Sequence, residues 1–167
     1  MIIRKATPVD SEAIFELLIE AFTAGYKKKF PDIKIDATRV EGFRKSVTPE
    51  KNSQWFVAEE SGKIVGGIRL ILPPTAEVWL PNAVEMKGLI LAGHLQGRGL
   101  GSQLMDVLKE EAVRIGAKHV CGRVRKEATE LRKYYEQIGC RHDLRGDQTL
   151  PNVNLLGYVY DIVGVTN

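Results

Sequence analysis

Cysteine is scarce in this chain of 167 residues: only Cys121 and Cys140 are present. Two thiols make no disulfide framework in a chain of this size. Their spacing is not CxxC, which argues against a zinc site. Both read as reduced core or near-core residues. Long apolar runs are also missing. Nothing approaches the roughly 20 residues of a membrane span. The start, Met1-Ile2-Ile3-Arg4-Lys5, lacks the apolar stretch of a signal peptide. A reducing cytoplasm is the expected location. Charge of one sign is weak too, with a net charge of +3. The sequence pI near 8.8 favours anionic ligands mildly and does not single out nucleic acid. Neither internal repeats nor Pro/Ser linkers divide the chain.

What is present suits a soluble globular protein. The hydrophobic fraction is 44% and the charged fraction 27%. One domain is the economical reading, because a chain of about 150 residues buries roughly 70% of its unfolded surface. Residues 2–6 read as a strand. Asp10 or Ser11 then caps an amphipathic helix over about residues 10–24, with Ile14, Leu17, Leu18, Ala21 and Phe22 at helical spacing. A second helix is expected near 37–46. Strands are predicted at 55–59 and 64–72, joined through the turn residues Glu60-Ser61-Gly62-Lys63. A third strand spans about 83–91. A helix follows over about 99–115, stopped by Gly116. Strand 119–124, helix 127–138 and closing strands at 140–144 and 155–163 complete the order β-α-α-β-β-β-α-β-α-β-β. The fold class is α/β: a mixed sheet with helices on both sides.

The chemistry-bearing segment is Gln96-Gly97-Arg98-Gly99-Leu100-Gly101, between a strand and a helix. The first four N–H groups of a helix have no intrahelical partner, and the macrodipole adds positive potential there. A pyrophosphate can accept those donors if the backbone comes close. Glycines 97, 99 and 101 remove the Cβ atoms in the way, and Arg98 adds charge at the rim. Glycines between a strand and a helix also serve tight packing alone. The pattern is neither GxGxxG nor GK[ST].

The longer stretch Leu89 to Gly101 resembles the GNAT N-acetyltransferase superfamily. Its signature is Gln or Arg, two residues, Gly, one residue, then Gly or Ala, and Gln96, Gly99 and Gly101 match. Downstream, Tyr135-Glu136-Gln137-Ile138-Gly139-Cys140 resembles the family's Tyr-x-x-x-Gly-Phe, with Cys140 in place of the aromatic. The element order agrees over residues 2–163. The resemblance implies one N-acetyltransferase domain over residues 1–167, with a mostly antiparallel sheet of the acyl-CoA N-acyltransferase type. It also implies acetyl-CoA as co-substrate, no metal, and an amine acceptor.

Site residues follow from the same resemblance. Leu89, Ile90 and Leu91 would carry the pantetheine arm on their backbone. The Leu91 N–H would face the thioester carbonyl, a donor aimed where negative charge develops. Gln96, Gly97, Arg98, Gly99, Leu100, Gly101 and Ser102 would hold the phosphates. Leu89 and Leu91 equally suit a plain core strand. Tyr135 would protonate the departing thiolate. Its neighbour Tyr134, about 100° away on a helix, is the better candidate for a merely buried ring. Glu85 would take the amine proton. It stands eleven residues before Gln96, as in the histone-acetylating branch, and a regular strand puts it on the face of Leu89 and Leu91. It suits equally a strand residue paired with Lys87 or Arg69. One departure is plain: many relatives carry Asn seven residues before the tyrosine, where this chain has Ala128.

The acceptor is read as a small-molecule amine or else a peptide amine, and the resemblance implies a site for it between the first two helices and the 73–83 loop. A compact chain with no interaction tail favours the small molecule. Lys27-Lys28-Lys29 reads as a solvated run, and Cys121 as a small core residue. No nucleic acid or membrane partner is expected, and a homodimer is left open. The competing reading is a non-catalytic acyl-CoA-binding sensor or interaction module.

Overall fold

The computed structural model describes residues 1–75 and 79–162, and of Tyr26 the backbone only. Val163, the expected end of the last strand, lies outside the described residues. The chain divides into two compact units: Met1–Arg69 with Gly88–Val107, and Leu70–Lys87 with Leu108–Asn167.

In the first unit the strands β1 (Ile2–Lys5), β2 (Ser53–Glu60), β3 (Lys63–Ile71) and the end of β4 (Ala83–Leu91) are hydrogen-bonded in that order. β1 lies antiparallel on β2, with Ile2 opposite Glu59 and Lys5 opposite Phe56. β2 and β3 are joined by Ser61 at φ 50° and Gly62 at φ 77°. Two successive left-handed residues suit the twist of a hairpin, and glycine adopts that conformation freely. On β2, Trp55, Phe56, Val57 and Ala58 are all buried. The Trp55 Nε1–H donates to the Ser46 carbonyl at 2.8 Å.

Helix α1 (Ser11–Glu20) buries Ile14, Leu17 and Leu18, the i, i+3, i+4 face expected from the sequence. Its start differs in detail. Asp10 belongs to a 3₁₀ turn, Pro8–Asp10, and does not cap α1 through its side chain. Its carboxylate instead accepts the Thr7 N–H at 2.7 Å and the Thr7 hydroxyl at 2.9 Å. Arg4 forks onto both Asp10 oxygens at 2.8 Å and reaches Glu59 at 2.8 Å. After α1 the chain makes one π-helical turn, Ala21–Tyr26, then the short turn α2 (Lys27–Lys29) and helix α3 (Ala37–Val47). Asp36 caps α3, accepting the Arg39 N–H at 3.0 Å.

The Arg4 guanidinium, followed by the Thr7 donors, holds the Asp10 carboxyl well below its ordinary 3.8. A depressed carboxylate contributes stability above its unfolded pKa and loses it as the pH falls. Thermal unfolding is therefore expected at lower temperature as pH drops below about 4. The Asp10→Asn variant should show a shallower fall over that window. A wild-type and variant slope that coincide would remove Asp10 from the acid response.

The second unit is built on β8 (Val153–Asp161). The start of β4 pairs parallel with β5 (His119–Arg125), Glu85 opposite Cys121. β5 pairs antiparallel with β8 from His119–Asp161 to Arg125–Leu155. β6 (Arg141–His142) and β7 (Gln148–Leu150) also pair antiparallel with β8. β7 is an added strand that the sequence reading lacks, and β6 is shorter than the expected 140–144. Helix α4 (Leu100–Arg114) enters this unit with Leu108 and Ala112 buried, and Gly116 ends it at φ 76°. Helix α5 (Thr129–Gln137) is followed by Gly139 at φ 90°. The sheet is mixed and mostly antiparallel, flanked by helices.

Candidate functional site

In the first unit, two chain segments enclose a cleft of about 150 Å³. One wall is the π-turn with Ala21, Phe22 and Gly25, continued by Lys29. The other is Leu89–Leu91 with Gln96. The strand end and Gln96, named from the sequence, therefore do meet in one place. Phe22 is fixed on this wall, its ring 4.6 Å from that of Phe43.

The turn beyond the cleft is shaped by its glycines. A 3₁₀ turn, Gly93–Leu95, follows β4, anchored by the buried Leu95 and by the Ala92 N–H donating to the Val65 carbonyl at 2.9 Å. Gly97 and Gly99 then take φ 74° and 82°, where a side chain would be strained. A Cβ built on either meets nothing within 4 Å. Their purpose is thus backbone conformation and an open approach, not tight packing. Leu100 starts α4 and is only 1% exposed, so it can offer a ligand nothing but backbone. Gly101 and Ser102 follow in the first turn, half-buried, and Gln103 N–H closes onto the Gly99 carbonyl at 3.2 Å. Gln96, Arg98 and His94 are exposed.

The strand feeding this turn is not regular. Gly88 has φ 62°, and a Cβ there would stand 2.8 Å from the Trp55 ring. Such a left-handed residue inside a strand is the mark of a bulge. The alternation that was to put Glu85 on the face of Leu89 and Leu91 therefore does not run through β4.

Glu85 and Tyr135 belong to the second unit. Glu85 is 1% exposed, and one carboxylate oxygen, Oε2, accepts both the Thr75 N–H at 2.7 Å and the Thr75 hydroxyl at 2.6 Å. Its Oε1 lies 3.6 Å from the Lys87 ammonium, which also donates to Thr75 Oγ1 at 3.1 Å. Arg69 goes elsewhere, to Ser53 Oγ at 2.6 Å. Thr75 was invisible as a partner in the sequence, because it lies ten residues away beyond Pro81. Burial, then the charge of Glu85, pushes the Cys121 thiol up to about 12, so it stays protonated and is no nucleophile.

Tyr135, not Tyr134, is the more buried of the adjacent tyrosines, at 4% exposure. Its ring lies 5.7 Å from Tyr134 and 5.8 Å from Tyr158. Tyr158 is itself held by Glu136 at 3.1 Å. The helix carrying Tyr135 starts at Thr129 with the buried Ala128 as its cap residue, which supplies no side-chain hydrogen bond. Among the described residues no cluster of three or more His, Cys, Asp or Glu could hold a metal ion. Nor, among them, is any helix long and apolar enough to cross a membrane.

Solved structures share this architecture. An acetyltransferase of the GNAT family from Staphylococcus aureus Mu50 superposes with a TM-score of 0.73 at 19% identity, over 96% of this chain and 98% of that one. The PaiA N-acetyltransferase of Thermoplasma acidophilum, in complex with coenzyme A, gives 0.71 at 16% identity over 96% and 98%. A ribosomal-protein-alanine N-acetyltransferase from Brucella melitensis gives 0.70 at 18% over 97% and 100%. At these identities the likeness speaks for the fold. No curated protein sequence matches this chain. The family model described as "Acetyltransferase (GNAT) family" matches residues 11–140, a span that holds the irregular strand, the left-handed glycines, the start of α4 and Tyr135. By that match the chain belongs to the GNAT acetyltransferase family.

Proposed function

We propose that this GNAT member transfers an acetyl group from acetyl-CoA to the primary amine of a small molecule, within one catalytic domain spanning residues 1–167. One observation carries the reading most: the cleft at Leu89–Leu91 and Gln96 leads into a glycine turn with open space where side chains would stand. The acetyl-thioester end of the arm fits a cleft of that size, and a diphosphate fits the start of a helix approached without Cβ atoms. In this reading the backbone of Leu89, Ile90 and Leu91 carries the arm, and residues 96–102 receive the phosphates. The co-substrate supplies an activated acyl carbon. The chain supplies the Leu91 N–H toward the carbonyl oxygen, Glu85 as acceptor of the amine proton, directly or through water, and Tyr135 as proton donor to the sulfur. The C–N bond forms, the C–S bond breaks, and free thiol leaves. That neighbours in fold are named for acetylating a ribosomal protein's alanine, and for a complex with coenzyme A, supports an amine acceptor and this co-substrate.

The test is free-thiol release from acetyl-CoA across simple amines, polyamines, aminoglycosides and peptides. Release that depends on an added amine is expected. Tight coenzyme A binding with no release for any amine would favour an acyl-CoA-binding module instead. The turn is tested by Gly99→Ala. Its methyl meets no neighbour, so the cost in stability comes from φ 82° alone, about 1–2 kcal/mol. Calorimetry should show coenzyme A affinity reduced by about tenfold or more, since the methyl stands where the diphosphate approaches. An unchanged affinity would remove the phosphates from this turn.

A further inference from the structure

Lys29 is the charged residue that the sequence reading left as a solvated surface group and the fold brings to the cleft. It closes α2 and lines the same cleft as Phe22, Leu91 and Gln96. Lys45, Lys87 and Lys133 each face a carboxylate. Among the described residues, Lys29 has neither a hydrogen bond nor an ion pair. Among the described residues no acidic side chain lines the cleft. The glutamates of α1, Glu12, Glu16 and Glu20, line a different groove on that helix. Lys29 is followed by Asp32 three residues later in the chain. Lys27 and Lys28 precede it, and the Arg39 guanidinium stands 5.9 Å from the Phe22 ring.

We infer that the π-turn side of the cleft, where Phe22 and Lys29 face the strand that carries the thioester, selects a small primary amine that also carries an anionic group, a carboxylate or a phosphate, which Lys29 binds. This inference rests on the proposed acetyl transfer, whose acceptor it specifies. Three physical points lead to it. An unpaired ammonium beside an aromatic wall is a ready partner for an anion, and such a charge-assisted contact is stronger than a neutral one. A polycationic acceptor such as a polyamine would add like charge beside Lys29, where no carboxylate stands among the described lining residues. A cation beside the acceptor also disfavours the protonated amine, which favours the neutral form that attacks. The left-handed glycines at the start of α4 already provide for phosphates of the co-substrate, which leaves Lys29 for the other ligand.

The experiment is calorimetric titration of coenzyme A-saturated protein with 6-aminohexanoate, 6-aminohexanamide, 6-aminohexyl phosphate and spermidine. The first two share one amine and differ in the carboxylate. The acid or the phosphate is expected to bind about tenfold tighter than the amide or spermidine. Whichever anion binds tighter identifies the anionic group. Lys29→Met should erase that advantage, Lys29→Arg should keep most of it, and coenzyme A affinity should stay unchanged in both. Because the side chain is exposed, the variants should fold normally. Equal binding of acid and amide, preferred binding of spermidine, or no measurable binding of either anion overturns the inference. So does a matching loss of coenzyme A affinity in Lys29→Met, which would assign the lysine to the co-substrate. A Lys29-dependent preference for anionic amines without thiol release from acetyl-CoA would keep the recognition and remove the catalytic reading.

Discussion

Tyr135→Phe is expected to slow turnover about 10²- to 10⁴-fold, the usual worth of a positioned proton donor, while coenzyme A binds within about twofold of wild type. The argument starts from the leaving group. A thiolate departs from the acyl carbon, and a phenol within hydrogen-bond reach can protonate it as the bond breaks. The substitution removes one oxygen and leaves the ring. That ring is 4% exposed, packed between Tyr134 and Tyr158 at 5.7 and 5.8 Å. Its packing should survive, so the melting temperature should move by no more than a few degrees. Tyr134→Phe is the control. It removes the same atom from the adjacent position, about 100° around the helix, and should leave turnover nearly intact. The measurement is kcat for thiol release beside a calorimetric Kd for coenzyme A. Equal turnover by wild type and Tyr135→Phe would take the acid away from this residue. With no amine preference in either form, it would favour a binding module.

Gly157→Ala should be among the most destabilising single changes in the second unit. Gly157 lies buried in β8, under the 3₁₀ turn Leu144–Gly146. A Cβ there would stand 2.5 Å from the Gly146 Cα and 2.6 Å from the Asp143 carbonyl oxygen. Both are backbone atoms, so no rotamer change relieves the contact. The turn would have to lift, which would break the Asp143 N–H bond to the Gly157 carbonyl at 2.9 Å. It would also strain the Gly157 N–H bond to Asp147 at 2.8 Å. Lifting would uncover Trp79, which packs on Gly146 and is 7% exposed. Overpacking ordinarily costs 1–3 kcal/mol. With backbone on both sides, about 3 kcal/mol is expected, or roughly 6–12 °C in melting temperature at this size. Gly42→Ala is the opposite case. It lies inside helix α3 with nothing within 4 Å of its Cβ. A gain of about 0.5–1 kcal/mol is expected there from helix propensity. Melting temperatures by calorimetry decide both. A Gly157→Ala protein that melts within two degrees of wild type would mean the turn is not seated on β8 as described.

Much of the framework was legible because it is written in local residues. Gly116 and Gly139 stop their helices with left-handed backbone, as their places in the pattern indicate. β4 runs over Ala83–Leu91, the span its apolar residues mark out. The turn at Ser61-Gly62 needs only the preferences of those residues. The glycines of the phosphate turn were legible for the same reason, since a positive φ is a property of one residue. β7 escaped notice because its three residues are all exposed and show no apolar alternation. The kink at Gly88 was hidden as well. The Trp55 ring that a Cβ there would meet comes from a strand more than thirty residues earlier.

The sequence by itself thus determined the strand–turn–helix carrying Gln96 to Ser102, the order of most elements and the membership in a family. Backbone conformations and periodicities there depend on residues near in the chain. Tertiary structure alone decided that Lys29 lines a cleft with Leu89–Leu91, that Thr75 grips Glu85, and that Tyr135 is the more buried of the two tyrosines. Each depends on which side chains fold together across ten to sixty residues, and no local preference encodes such a meeting.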